Sequence, residues 1–375
     1  MCAFCRIIVA LLFPVAALSF TIVAASGGAI RTGQLFLNGD VLQPSSLLGK
    51  VAVCGATGRT GKLVVSELVD RGIDVVAVVR NAEKAESELS LQDPKVIVVK
   101  CDLSSEKDIA TSIQGCDSVV WCATGFSDAE TGFIQKLKSL FGIALAPKKS
   151  IDSIGIPTIA KSMLKASKNA EYSETPRVIM LSSAGVTRPS WSDEKKTRFA
   201  GCADIPIVRL NPFGVLDVKA DSEIKLRESG VSYCIVRPCG LNDDWPSGCR
   251  PVFSQGDVAV GRINRKDVAR ILVDVASSPE ACGKTFELFS LNGYAPPTST
   301  VPLLDKLRSD REGLSEDVVE NTYNLVQQLL PGEQQDSASL AMGQTYEQYD
   351  EGETGRLGER GTEDIEQAGI KPTTS

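Results

Sequence analysis

The residues best placed to do chemistry are three glycines in the loop Gly55-Ala56-Thr57-Gly58-Arg59-Thr60-Gly61. The apolar run Val51–Cys54 precedes the loop, and a helical pattern over Lys62–Leu68 follows it. Glycines at this spacing let the backbone turn tightly and approach a pyrophosphate. The helix N-terminus then offers amide donors and the positive end of its dipole to the phosphates. Thr57, Arg59 and Thr60 complete this cradle. A second apolar run, Val75–Val79, ends in Arg80-Asn81. A carboxylate at that strand end would hold the ribose hydroxyls of NAD(H) and repel a 2′-phosphate, whereas a guanidinium binds the phosphate bidentately. Arg80, with Arg59 in reach of the same group, points to NADP(H) in preference to NAD(H).

Ligands of open parallel sheets sit beyond the carboxyl ends of the strands. The candidates to line that crevice are therefore the residues just past each apolar run. Asp102 and Leu103 follow the third, and Asp102 reads either as an acceptor for an adenine amino group or as a turn cap. Ala123, Thr124 and Gly125 follow the fourth, and Ser182 and Ser183 end the fifth. Pro238, Cys239 and Gly240 end the sixth, where a nicotinamide would lie.

The elements that must position these residues alternate along the chain. Strand patterns fall at Val51–Cys54, Val75–Val79, Val96–Lys100, Ser118–Cys122, Val178–Ser182, Tyr233–Val236 and Thr285–Phe289. Helical patterns fall near Gly61–Arg71, Glu106–Ile113, Ile156–Lys168, Leu216–Ser229 and Arg265–Ala276. Near-continuous apolar strands between helices imply a parallel sheet covered on both faces, an α/β doubly wound Rossmann-type fold. This domain spans 50–292. An extension, 293–330, carries Leu314, Val318, Thr322, Leu325 and Leu329 on one helical face behind the cap Ser315-Glu316-Asp317. We expect it to dock through that face and to end before Pro331. From 331 to 375 the chain is acidic and poor in large apolar residues, the composition of a disordered tail.

Composition removes several classes of function. The 375 residues include no histidine, which excludes Ser-His and Cys-His nucleophile pairs and most zinc sites, and no metal site is expected. Ten acidic and three basic residues lie from Pro331 on, so of the 47 acidic and 40 basic residues 37 of each precede it. A neutral body gives no electrostatic case for binding nucleic acid. The eleven cysteines have no paired spacing in the body and read as buried thiols in a reducing compartment.

The first residues read as a targeting leader. Arg6, the apolar stretch Ile7–Leu18 and the small residues Ala17-Leu18-Ser19 make residues 1–19 signal-like. Residues 20–49 have one acid, Asp40, and are transit-like. Together they resemble the bipartite leaders of proteins sent into secondary plastids. Within the body, 131–150 lacks acids and places Phe133, Ile134, Leu137, Leu140 and Phe141 at helical spacing among lysines. It reads as a lid over the crevice or as a basic amphipathic helix that meets a membrane surface or a plastid protein partner.

From Lys50 to about Leu291 the chain resembles the atypical short-chain dehydrogenase/reductase superfamily, in its NmrA-like, NAD(P)-binding branch. The resemblance is carried by Gly55-x-x-Gly58-x-x-Gly61, Arg80, Cys101-Asp102-Leu103 and Ser182-Ser183-Ala184-Gly185-Val186. It continues through Lys219, Gly230–Pro238, Gly256-Asp257 and Ile263–Ala269. The stretches Leu181–Pro189 and Ile235–Cys239 look most like plastid and cyanobacterial members, some of them translocon-associated dehydrogenase-like proteins and photosystem assembly factors. Many active members use Tyr-x-x-x-Lys, with the tyrosine as general acid and the lysine on the ribose. Lys219 matches the lysine, but the residue four positions earlier is Val215, which has no proton to give. The resemblance thus implies either an NADPH-dependent reductase of a small substrate, with Ser182, Ser183 or Lys219 as catalytic candidates, or an NADP(H)-binding scaffold or assembly factor without turnover.

Overall fold

The computed structural model describes residues 48–83, 85, 89, 94–124, 150–167, 175–211 and 214–329. All of them fall in one compact unit, 45–375. The expectations for the leader, for Gly125, for 131–149 and for the tail lie outside the described residues.

The apolar runs form a single large sheet, most of them buried on both faces and Val96–Lys100 only partly so. Its strands are β1 (Lys50–Cys54), β2 (Asp74–Val79), β3 (Val96–Lys100), β4 (Ser118–Trp121), β5 (Val178–Leu181), β6 (Tyr233–Pro238), β8 (Arg250–Ser254) and β10 (Lys284–Leu291). A small second pair joins β7 (Gly240–Leu241) to β9 (Arg262–Ile263). The sheet order is β3-β2-β1-β4-β5-β6-β10-β8. Val51 pairs with Val75 on one side and with Ser118 on the other, so β1 is central and the strand order reverses between β1 and β4. In a doubly wound sheet that reversal opens the crevice at the carboxyl ends. Seven strands are parallel as expected. The eighth, β8, outside the seven strand patterns of the sequence, is antiparallel to β10 and closes the far edge.

Helices cover both faces. On one, α1 (Gly61–Asp70) packs against α8 (Arg265–Ala276), over a core that includes Val53, Val120, Ile179, Val236 and Phe286. On the other, α3 (Ile151–Ser167) packs between α2 (Glu106–Ser112) and α7 (Val215–Glu228), over Cys54, Trp121, Met180 and Ile235. Helix α3 starts at Ile151 rather than Ile156, because Ser150 Oγ accepts from the Asp152 amide at 3.2 Å. Gly155 lies within it and does not break it. A Cβ there would come within 2.2 Å of the Trp121 ring, so the glycine lets the helix sit on the indole.

The connection from Val186 to Asn211 holds three short helices, α4 (Asp193–Arg198), α5 (Ala200–Ala203) and α6 (Pro206–Leu210). After β10, α9 (Val301–Asp305) leads to α10 (Glu316–Leu329). Helix α10 docks, but through a different face from the one the sequence suggested. Val326 is buried, Val319 and Tyr323 pack against Phe199 and its neighbours, and Leu325 is 57% exposed. The extra contacts are polar: Arg198 pairs with Glu316 and Glu320, and the Gly201 amide donates to the Tyr323 hydroxyl.

Replacing Gly155 by alanine should drive a methyl into the Trp121 indole. We expect a loss of about 1–3 kcal/mol by urea denaturation, and an unchanged midpoint would contradict this packing.

Candidate functional site

The glycine loop is shaped by close approach. Gly55 has a φ of +78°, and a Cβ on it would lie 2.9 Å from the Ala123 backbone. Its amide and that of Ala56 donate to Val78 O. A Cβ on Gly61 would lie 2.1 Å from Gly55 O, so the first turn of α1 rests directly on the loop. The end of that helix is left without a cap. Thr60 makes no side-chain capping bond and the first turn has no acid. By contrast Ser105, Ser192 and Asn264 cap α2, α4 and α8. Among the described residues, the amides of Thr57, Thr60 and Gly61 have no acceptor. Unpaired amides at a helix N-terminus, beside a backbone stripped of side chains, suit a diphosphate.

The other sequence candidates gather at the same edge of the sheet. Arg80 ends β2 with its side chain exposed. Asp102, past β3, accepts from the Ser104 amide at 2.9 Å and from Ser104 Oγ at 2.7 Å. Those two bonds, and Arg80 nearby, hold its carboxyl below the usual range. This is the turn-cap reading of Asp102. Leu103 packs into the core beneath it. Ala123 is buried against Gly55, and Thr124 is exposed.

Lys219 reaches the crevice from α7. Its Nζ lies 3.4 Å from Leu181 O and 3.6 Å from Asp152 Oδ1, and only 9% of the side chain is exposed. The Trp121 indole N–H donates to the same Asp152 oxygen at 3.0 Å. Cys122 also lies near Lys219; burial pushes its thiol up to about 12 despite the ammonium. Ser182 is committed elsewhere: its hydroxyl donates to Glu223 Oε1 at 2.5 Å. That hydrogen is engaged by Glu223, which leaves the serine its lone pairs. The Ser183 hydroxyl donates to Ala184 O at 2.9 Å. Cys239 is buried, and its thiol faces Ala259 O at 3.7 Å. Burial raises its pKa, so it contributes packing rather than a thiolate. Pro238 and Gly240 flank it at the end of β6 and in β7.

Two other titratable groups on β6 and α7 are engaged with neighbours. Tyr233 stands at the opposite end of β6 and donates to Asp310 Oδ2 at 3.0 Å. Asp217 accepts from Asn211 Nδ2 at 2.7 Å, at the start of α7. Val215 is half-buried one turn before Lys219.

Behind the crevice lies a buried ionic network that sequence reasoning missed. Arg237 donates to both oxygens of Glu223, at 3.0 and 2.5 Å, and both residues are buried. Burial opposes charge on Glu223, but Arg237, Arg227 and Ser182 outweigh it and hold its pKa low. Asp257 accepts from the amides of Gly185 and Thr187 at 2.6 and 2.8 Å. The fully buried Arg188 donates to the carbonyls of Asp257, Cys202 and Ala259. Glu287 stands between these groups, and its Oε1 makes no hydrogen bond and lies 4.0 Å from Arg237 Nη1. Burial and the Asp257 charge, opposed by Arg237, push its carboxyl up to about 7. The signal for this network was present as charged residues inside or beside apolar strands, at Arg237 and Glu287. Their partners come from distant segments that no spacing connects.

Along the Val186–Asn211 excursion lies an open cavity of about 500 Å³, lined in part by Pro189, Lys196, Thr197 and Arg209. Among the described residues, no cluster of acids and cysteines could hold a metal ion, and no helix is long and apolar enough to cross a membrane.

Comparison with known sequences agrees with this geometry. The profile of an NAD(P)H-binding family matches residues 55–279, from the first glycine of the loop to the turn before β10. The chain belongs to this family. Its relatives include an uncharacterised chloroplastic protein of Arabidopsis thaliana, 29% identical over 64% of this chain and 76% of that protein. Another is the chloroplastic protein TIC 62 of the same plant, 28% identical over 78% of this chain. The chain spans only 44% of TIC 62. The match agrees with the resemblance to NmrA-like, atypical short-chain dehydrogenase/reductase proteins read from the sequence. Similar solved structures include an anaerobillin reductase of Escherichia coli O157:H7, 20% identical over 65% of this chain and 98% of that one, with a TM-score of 0.46. A short-chain dehydrogenase/reductase of Veillonella parvula in complex with NADP is 16% identical over 67% and 99%, with a TM-score of 0.45.

The raised Glu287 carboxyl has a consequence for stability. The folded state holds a proton there up to about pH 7, which the unfolded chain releases near its ordinary value of 4.5. The stabilisation is therefore complete below that value and is lost as the pH rises through about 7. Glu287→Gln should melt higher than wild type at pH 8, and the difference should shrink towards pH 5. A difference independent of pH would contradict the assignment.

Proposed function

We propose that the protein binds NADP(H) in preference to NAD(H) and works as an NADPH-dependent reductase of a small substrate in a plastid. The observation that carries this reading is the uncapped N-terminus of α1 beside Gly55, Gly58 and Gly61. Arg80 supports the preference, because a guanidinium stands where a carboxylate would select NAD(H). The plastid assignment is supported by the chloroplastic relatives and the transit-like leader.

The dinucleotide, when bound, supplies the hydride. The chain supplies position and a proton. Thr57, Thr60 and Gly61 offer their amides to the diphosphate, and Arg80 meets a 2′-phosphate past β2. Lys219 is oriented by Leu181 O and Asp152 towards the crevice, where its ammonium holds ribose hydroxyls or gives a proton to a reduced oxygen. Ser182, with its hydrogen on Glu223, presents lone pairs and so serves as an acceptor. Thr124 and the loop at Pro238, Cys239 and Gly240 close the nicotinamide end.

A second reading is favoured by one observation: a valine, Val215, replaces the usual acid, and no tyrosine among the described residues takes its place. In that reading the protein binds NADP(H) as a scaffold for plastid proteins, through 131–150 or α10.

Titration should find NADPH bound more tightly than NADH. Arg80→Glu should weaken NADPH binding roughly ten- to hundredfold, the worth of about 1.5–3 kcal/mol for a charged hydrogen bond, and leave NADH nearly unchanged. Tighter binding of NADH by the wild type would overturn the preference. NADPH oxidation against quinones, flavins and carbonyls, lost in Lys219→Met, separates the two readings. No turnover, with thylakoid proteins recovered on the wild type and lost when 131–150 or 316–329 is deleted, would favour the scaffold.

A further inference from the structure

The glycine loop contains a cation that is already engaged. Arg59 Nη2 lies 2.7 Å from Asp243 Oδ2, in a pair more than half exposed on the arginine side. The other oxygen of the same carboxylate lies 2.8 Å from Arg265 Nη1, whose side chain is 9% exposed. Asp243 therefore holds two guanidiniums, one at the start of α1 and one at the start of α8.

The carboxylate is set there by a built turn. Asn264 Nδ2 donates to the carbonyls of Asp243 and Trp245 at 2.9 and 2.7 Å, while Asn264 Oδ1 caps α8 through the Lys266 amide. The Asp244 amide donates to Asn242 Oδ1 at 2.8 Å. The segment 242–245 is thus fastened to the N-terminus of α8, and α8 packs against α1. Burial opposes the charge on Asp243, but Arg265 and Arg59 outweigh it and keep the group ionised.

We propose that Asp243 is a positioning residue that occupies Arg59 as an internal anion, and that a dinucleotide phosphate must displace it to recruit Arg59. The proposal rests on reading the crevice as the NADP(H) site. The physical ground is competition for one guanidinium. Arg59 stands between Gly58 and Thr60, next to the Thr60 and Gly61 amides that suit a phosphate. A phosphate there carries more charge than a carboxylate and can use Arg59 and the amides together. The ligand pays for breaking the Arg59–Asp243 pair, so the observed affinity is reduced by the fraction of molecules in which Arg59 is engaged. Arg265 keeps Asp243 in place after Arg59 turns away, so the exchange needs no movement of the backbone.

The test is NADPH binding to the full chain, followed by quenching of protein fluorescence, for wild type, Asp243→Asn, Arg59→Gln and the double variant. Asn at 243 keeps the size and can keep a bond to Arg265. We expect Asp243→Asn to tighten NADPH binding about two- to fivefold, the worth of an exposed ion pair. Arg59→Gln should weaken it, and the effect of Asp243→Asn should vanish in the Arg59→Gln background. Unchanged or weaker binding in Asp243→Asn overturns the proposal, as does equal tightening with Arg59 absent. A loss of folding would show as a lowered melting temperature. Asp243→Ser, read in the same cycle, then replaces the asparagine variant. No binding of NADPH or NADH to any of the proteins would overturn the reading of the crevice itself, and the exchange with it.

Discussion

The contact on which the site depends is between Gly61 at the start of α1 and the carbonyl of Gly55. At that distance no side chain fits, so the first turn of the helix must rest on the loop that enters it. The N-cap residue Thr60 makes no side-chain capping bond. The Thr60 and Gly61 amides, without a backbone acceptor, are left for a ligand. Gly55, in the left-handed region, carries the chain past Ala123, which brings the end of β4 against the same loop. The glycines serve the approach of backbone to backbone as much as the approach of a phosphate.

The far half of the crevice is fixed by charge rather than by shape. Glu223, Arg237, Asp257, Glu287 and Arg188 are removed from water, and a buried charge is tolerated only when paired and hydrogen-bonded. Glu223 and Arg237 satisfy each other across α7 and β6, and Asp257 and Arg188 tie the strand-end turn at Gly185 to the segment before β9. That turn opens the excursion on which α10 docks through Tyr323 and Arg198. The network therefore links the floor of the crevice to the C-terminal helix. It also changes what Ser182 offers, since the serine is one of the bonds that satisfy Glu223. Glu287 is the member whose carboxyl is raised, by burial first and then by the charge of Asp257.

The parallel strands and the glycine loop were legible in the sequence because their signals are local. An unbroken apolar run such as Val75–Val79 can be satisfied only in a buried strand, and glycine spacing before a helical pattern has few other uses. The edge strand β8 was not legible: it contains Pro251 and is only partly apolar, and its place is set by pairing with β10. The face of α10 was misjudged because Leu325 and Val326 are adjacent and both apolar, and only the position of Phe199 and Cys239 decides which turns inward. The sequence puts Arg59 in reach of a phosphate but gives no sign of Asp243, which meets it across 184 positions. Asp152, buried beside Trp121 and Lys219, was missed for the same reason. The absence of a tyrosine before Lys219 is visible in the sequence, and the structure places Tyr233 at the opposite end of β6.

The most direct measurement is backbone amide exchange, followed by mass spectrometry or NMR, on the full chain with and without NADPH. If the diphosphate rests on the start of α1, the amides of Thr57, Thr60 and Gly61 should slow markedly on binding, with smaller changes near Arg80. NADPH bound with the 57–61 amides unchanged and protection confined elsewhere would contradict the assignment of this loop as the dinucleotide site.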